Sequence, residues 1–471
     1  MEGNTRADED TVRIVRALEK AKTRRAELSG LCRWSEADEA VLVALRDALS
    51  IENVVDADLG GLVYVAGGSH VMKLRVRDER SQISTARLYA AGAMLLVNRG
   101  REPQTVVKLV QRALESLDWH DMGTLWYLVL SLIYADDLQA ARELIDQATT
   151  RGSWLGSRAH AAALTLLRAR LLSISGEPHA AWQSIDGLLR QDLDQQFGEL
   201  AVAWAVAALV DLDRFDRAED LLISRRLDGI LEGTEGHVEL LAARGALRAA
   251  EGRPRLAYED FSSCGRELAA WGVTNPAVAP WRSEAALCAA ATGRHSLAYS
   301  LGNEELFRAQ NWGTPQTIGA ALRAFAYLSE RGTDVELFKE SVEHLSGSRL
   351  RLMLVRAQYE LGIKLLFRAR PEEGWAALKA AKTEALSIRS VAWAHRVDEA
   401  VRRWGQAPMR AELTSQEVRV ANLTQAGFSN KESSVRLKLS VSTVEFHLSN
   451  IYQKLAISGR NELRSLRIPI W

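Results

Sequence analysis

The sequence predicts an all-α protein of two unequal parts: a long superhelix of helical repeats and a small trihelical domain behind it. Breaks that open a new helix recur at Gly100, Asp136, Gly176, Asp213, Gly252, Gly293, Gly332 and Arg370, at steps of 36 to 41 residues. A fixed period of that size is the mark of stacked helical units. Residues 413–466 then hold three short helix signals in quick succession. The third carries Val444, Leu448, Ile451 and Leu455 at spacings of four, three and four, which is one buried stripe. The texture departs from helix only around the Gly-Gly pairs near residues 60 and 67.

Residues 1–80 form the N-terminal region. Val12, Val15 and Leu18 lie on one side of a first helix, and Arg13, Arg16, Lys20, Arg24 and Arg25 give it a basic outer face. That face reads as solvated surface, with a second DNA contact or a partner surface as the alternative. Residues 39–49 are again helical in period. Leu62 and Tyr64, then Met72, Leu74 and Val76, alternate with polar residues around a glycine turn and fit two strands of a hairpin. A helix followed by a hairpin is winged-helix-like; the alternative is an isolated hairpin packed on the array.

Residues 81–401 form the array. Each period holds two amphipathic helices with small residues, mainly Ala, where they cross. Such units cannot bury their apolar faces alone, so they stack and leave a long concave groove. That groove suits capture of a peptide, a protein or a small-molecule effector. The chain has thirteen Trp, most of them expected to pack helices together. Breaks at 272–280 and 311–315 read as long loops or flexing points. Residues 402–412, with Gly405 and Pro408, suit a linker. A hinge there would let the array hide or release the C-terminal domain.

Residues 413–471 are that second domain. Thr414 with Glu417, and Ser429 with Glu432, have capping-box spacing, and Gly427 closes the helix between them. The second helix is confined to about 430–437. On the third, Ser442, Glu445, Phe446, Ser449 and Gln453 lie opposite the apolar stripe, with Thr443, His447, Asn450 and Lys454 on the flanks. Two short helices, a tight turn and a longer helix with a polar outer face make a helix-turn-helix plan, whose second helix is built to enter a DNA major groove.

Formal charge is zero, with 60 basic and 60 acidic residues, so nucleic-acid binding is not a whole-chain property. From 410 to 471 there are nine Lys/Arg against five Asp/Glu, a modest local surplus that a dimer would double. Cys32, Cys264 and Cys288 are scattered and odd in number, without metal spacing, and are expected to be small buried residues. No apolar run is long enough to span a bilayer, and the charged N-terminal stretch lacks a signal-peptide core, so a cytoplasmic protein without membrane partners is expected. No Gly-Lys dipeptide occurs, which removes the phosphate-binding loop of an ATPase. No catalytic or metal constellation stands out, and neither a cofactor nor an enzymatic activity is expected.

SNKE, STVEFHLSNIYQKL and GRNEL, in that order, resemble the C-terminal DNA-binding domain of LuxR-type transcription regulators. The array, by its period and small–aromatic pattern, is similar to tetratricopeptide repeats. The whole layout resembles the C-terminal part of large ATP-binding LuxR regulators without their ATPase module. The resemblance implies a bacterial transcription regulator, usually an activator, nucleoid-associated when bound to double-stranded DNA. It implies a homodimer on DNA supported by a last helix at about 459–466. It also implies base-facing Glu445, Phe446 and Ser449, with phosphate contacts from Lys431, Ser442, Thr443, His447, Asn450 and Lys454. Two positions depart from the family pattern. Ser433 stands where a bulky aliphatic is usual, with Val435 as a partial replacement, and Glu445 stands where many members carry lysine. Those departures leave an alternative: an interaction scaffold with a vestigial DNA-binding domain.

Overall fold

The computed structural model describes residues 85–151, 157–191, 195–229, 237–329, 333–368, 370–405, 413–455 and 457–465. The N-terminal helix and the hairpin expected within residues 1–80 lie outside them. All regular structure among the described residues is helical.

Seventeen helices make the array among the described residues: α1 (Thr85–Arg99), α2 (Pro103–Leu114), α3 (Met122–Tyr134), α4 (Leu138–Arg151), α5 (Arg158–Ile174), α6 (Pro178–Leu189), α7 (Gln195–Asp211), α8 (Phe215–Ser224), α9 (His237–Ala250), α10 (Pro254–Ala270), α11 (Trp281–Ala291), α12 (His295–Trp312), α13 (Pro315–Ala326), α14 (Asp334–Ser346), α15 (Arg351–Phe367), α16 (Pro371–Ser387) and α17 (Val391–Gly405). The last runs beyond Val401, into the segment expected as linker. Four helices complete the described chain: α18 (Ser415–Gln425), α19 (Asn430–Leu437), α20 (Val441–Leu455) and α21 (Arg460–Ser465).

The turns explain the regular step. Gly100, Asp136, Gly176, Asp213, Gly252 and Gly293 all have left-handed backbone, with φ between 57° and 89°. A residue in that region ends a helix by turning its backbone back on the last carbonyls, which Gly does without strain and Asp tolerates. Pro103, Pro178, Pro254, Pro315 and Pro371 then sit at the first position of the next helix, where a missing N–H costs nothing. Arg370 departs from the series, with φ of −112°.

Each helix packs on its chain neighbour, and odd-numbered helices also touch one another, α1 on α3, α3 on α5, α7 on α9, α11 on α13 and α15 on α17. They form the inner layer and the even-numbered ones the outer. Small residues allow the close crossings. A Cβ on Gly362 of α15 would stand 3.0 Å from the Gly374 carbonyl oxygen of α16, so the two backbones meet directly. Trp126 and Trp204 stack in parallel at 6.1 Å inside the inner layer, and Trp126, Trp182, Trp204, Trp312 and Trp393 are buried. Helix packing is thus the work of these indoles. Cys264 and Cys288 are buried free thiols.

The superhelix is wound tightly enough for successive turns to touch. Asn275 Nδ2 donates to the Val97 carbonyl at 2.7 Å, and Trp312 Nε1 donates to the Tyr134 carbonyl at 3.2 Å. Arg396 is ion-paired with Asp213. These partners, and Thr274 with Arg99, lie 175 to 183 residues apart in sequence. Arg356 with Asp211 and Arg349 with Gln139 lie 145 and 210 residues apart, so contacts between distant segments of the array do not follow one fixed interval.

Candidate nucleic-acid interface

The C-terminal domain is built on its two caps. Thr414 N donates to Glu417 Oε2 at 2.6 Å and Glu417 N to Thr414 Oγ1 at 3.3 Å; Ser429 and Glu432 repeat the exchange at 2.8 and 3.2 Å. Both capping boxes expected from the spacing are present. Gly427, at φ 90°, closes α18, and Lys438, at φ 54°, closes α19. Ser440 then receives the Thr443 N–H at 3.0 Å and opens α20.

Val444, Leu448, Ile451 and Leu455 of α20 are all buried, in one cluster with Leu413, Val420, Ala421, Ile457 and Leu463. The opposite face is open. Ser442, Glu445, Phe446, Ser449 and Gln453 are exposed, while Thr443, His447, Asn450 and Lys454 on the flanks are half-buried. Phe446 is 63% exposed, its ring meeting the neighbouring His447 ring edge-on at 6.0 Å. Lys431 is exposed at the start of α19.

Lys454 has a structural partner. Its Nζ lies 2.7 Å from Glu417 Oε2, so the acid that caps α18 also ties it to the end of α20. Burial alone would raise the Glu417 pKa, but the Lys454 ammonium and the Thr414 N–H outweigh it and hold it below the ordinary value.

Ser433 is fully buried, and its Oγ has no hydrogen-bond partner. Val435 does not replace the missing aliphatic group. It is 74% exposed, because the shift along an eight-residue helix moves it to another face.

The array docks against this domain without covering its open face. Three contacts at the junction stand out among the described residues. Phe367, at the end of α15, packs on the cluster of α18 and α20 and meets Trp404 edge-on at 4.7 Å. Leu423 of α18 faces the turn at Gly293. Arg255 lies over the Phe428 ring at 4.5 Å, with Arg436 on that ring at 3.9 Å. Sequence reasoning missed all three. Arg255 is one of 60 basic residues, and nothing in its neighbours marks it as a contact. It also missed Asn430 and Arg460, which join α19, α20 and α21 through side-chain hydrogen bonds.

A cavity of about 1330 Å³ opens between the inner layer and the docked domain. Trp204, Trp393 and Arg396 line it from the array, and Asn422, Gln425 and Arg464 from the C-terminal domain.

Residues 411–466 match the family described as bacterial regulatory proteins, luxR family. No curated protein matches the chain. The fold is similar to that of a solved structure described as a Rap protein complexed with competence and sporulation factor, with a TM-score of 0.52, 10% identity, and coverage of 81% of this chain and 99% of that one. A second, an APC/C hetero-tetramer Cut9–Hcn1, aligns at a TM-score of 0.35 and 13% identity over 92% of this chain and 82% of that one. The chain therefore joins a LuxR-family helix-turn-helix domain to a tetratricopeptide-like helical array.

Proposed function

We propose that this protein is a sequence-specific DNA-binding transcription regulator, acting as an activator, whose array binds an effector in its groove and thereby controls the C-terminal domain. The observation that carries the reading is the open row Ser442, Glu445, Phe446 and Ser449, exposed on α20 while the array is docked elsewhere. Glu445, Phe446 and Ser449 face bases; Lys431, Ser442, Thr443, His447 and Asn450 face phosphates, which set register. Lys454 reaches a phosphate only by leaving Glu417. The protein binds double-stranded DNA as a homodimer through α21, in the bacterial cytoplasm, on the nucleoid.

The effector is a peptide, a protein or a small molecule. The shared cavity supports this, since anything held there touches both the array and α18. The similar structure was solved with competence and sporulation factor bound to the Rap protein, which supports an array of this fold as a carrier of a regulatory partner.

The test is selection of duplexes from a random pool by the full chain, with binding then measured across a salt series. A palindromic site held well above non-specific affinity supports the regulator. The buried, unsatisfied Ser433 favours a second reading, a protein-interaction scaffold with a vestigial DNA-binding domain. Absence of any selected sequence would establish that one instead.

A further inference from the structure

Asn430 opens α19, and both ends of its side-chain amide are engaged. Its Oδ1 accepts from Arg460 Nη1 at 2.9 Å, and its Nδ2 donates to Glu445 Oε1 at 3.3 Å. Arg460 is itself anchored, its Nη2 donating to the Phe428 carbonyl at 2.8 Å. An amide between a guanidinium and a carboxylate points one way only, since the reverse sets donor against donor and acceptor against acceptor. One oxygen of the exposed Glu445 carboxylate is thus held, and the other keeps its lone pairs for a partner outside the protein. Among the described residues no Lys, Arg or His forms an ion pair with Glu445.

An unneutralised carboxylate on a DNA-facing helix is repelled by phosphate and gains only where a base offers it a donor. In the major groove cytosine offers N4–H₂. Adenine offers N6–H₂ too, but beside the N7 acceptor, which opposes the second carboxylate oxygen. The neighbouring Phe446 presents an apolar ring, 63% exposed, which suits the thymine methyl. The open row Ser442, Glu445, Phe446, Ser449 and Gln453 contains no Lys or Arg. Guanine's paired acceptors, O6 and N7, therefore have no cationic partner on it.

Resting on the DNA-binding reading above, we propose that Glu445 reads a cytosine and Phe446 a thymine in each half-site. Asn430 and Arg460 are positioning residues that aim the carboxylate. The recognition helix of this chain thus selects pyrimidines on the strand beneath it.

The experiment uses the full chain and the duplex it selects from a random pool. Each C·G pair is exchanged for T·A in turn, and each thymine is replaced by deoxyuridine, which removes only the methyl group. Wild type is expected to lose about tenfold in affinity at one C·G exchange and about threefold at one deoxyuridine. Glu445→Ala becomes indifferent to that C·G exchange, and Phe446→Ala to that deoxyuridine. Asn430→Ala keeps its low-salt affinity for unrelated DNA and its thymine preference, and loses discrimination at the cytosine alone. Equal losses on all sequences for Glu445→Ala and Asn430→Ala, or a wild-type site that tolerates every exchange, overturn the assignment. If wild type selects no sequence at all, the DNA reading falls and this assignment falls with it.

Discussion

Arg255 of the array lies over the ring of Phe428 in the C-terminal domain, 4.5 Å from its centre. The contact joins segments far apart in sequence, as Asn275 with Val97 and Trp312 with Tyr134 do within the array. Arg436 covers the same ring at 3.9 Å, so one aromatic side chain is clamped by a cation from each domain. Removing the array's cation removes a contact worth about 0.5–1 kcal/mol at an exposed site. Arg255→Ala is therefore expected to speed amide exchange in α18 by about threefold while leaving α1–α6 unchanged. Unchanged exchange in α18 would mean that Phe367 and Leu423 hold the junction without it.

Ser433 gives the second prediction. A buried hydroxyl without a partner has lost its water and gained nothing, at a cost of about 1–3 kcal/mol. Ser433→Ala removes the hydroxyl, leaves the same volume to the neighbours and improves helix propensity. The C-terminal domain is expected to gain about 1 kcal/mol, read as slower exchange of the α19 and α20 amides. A loss of stability would show that the hydroxyl has a water partner worth keeping.

Ser433 also marks where sequence reasoning stops. The stripe on α20, both capping boxes and the bounds of α19 were legible because each rests on residues within a few positions of one another. The step of the array was legible for the same reason, since a left-handed Gly or Asp and a Pro soon after it are local devices. Val435 was misplaced because facing on an eight-residue helix depends on what packs against it. The engagement of Lys454 by Glu417, 37 residues away, and of Phe428 by Arg255 depends on tertiary placement. A lone Lys or Arg carries no local sign of its partner.

Glu417 makes the C-terminal domain sensitive to acid. Its pKa in the folded state lies below the ordinary carboxylate value of 4.5, because Lys454 and the Thr414 N–H outweigh the effect of burial. A depressed pKa means that the unfolded state binds the proton more tightly. The stability that this group adds is fully present above the unfolded value and is lost as pH falls through the folded one. Between pH 6 and pH 3 wild type is expected to lose stability in α18 and α20 together. Glu417→Gln starts less stable at pH 7 and shows a flatter acid limb. Equal slopes in the two proteins would assign the acid sensitivity to other carboxylates.

Lys431 separates register from readout. It is exposed at the first turn of α19, and no ion pair holds it among the described residues. On the proposed DNA-binding reading, a lysine so placed meets phosphate and carries no base information, because phosphate is the same at every step. Its contribution is release of a condensed counterion, which appears in the slope of log affinity against log salt. Lys431→Ala is expected to weaken binding to selected and unrelated duplexes by the same factor and to reduce that slope by about one per bound domain at most. The ratio between the two duplexes stays fixed. A changed ratio at constant salt would place Lys431 among the base readers and leave the phosphate register to Thr443, His447 and Asn450.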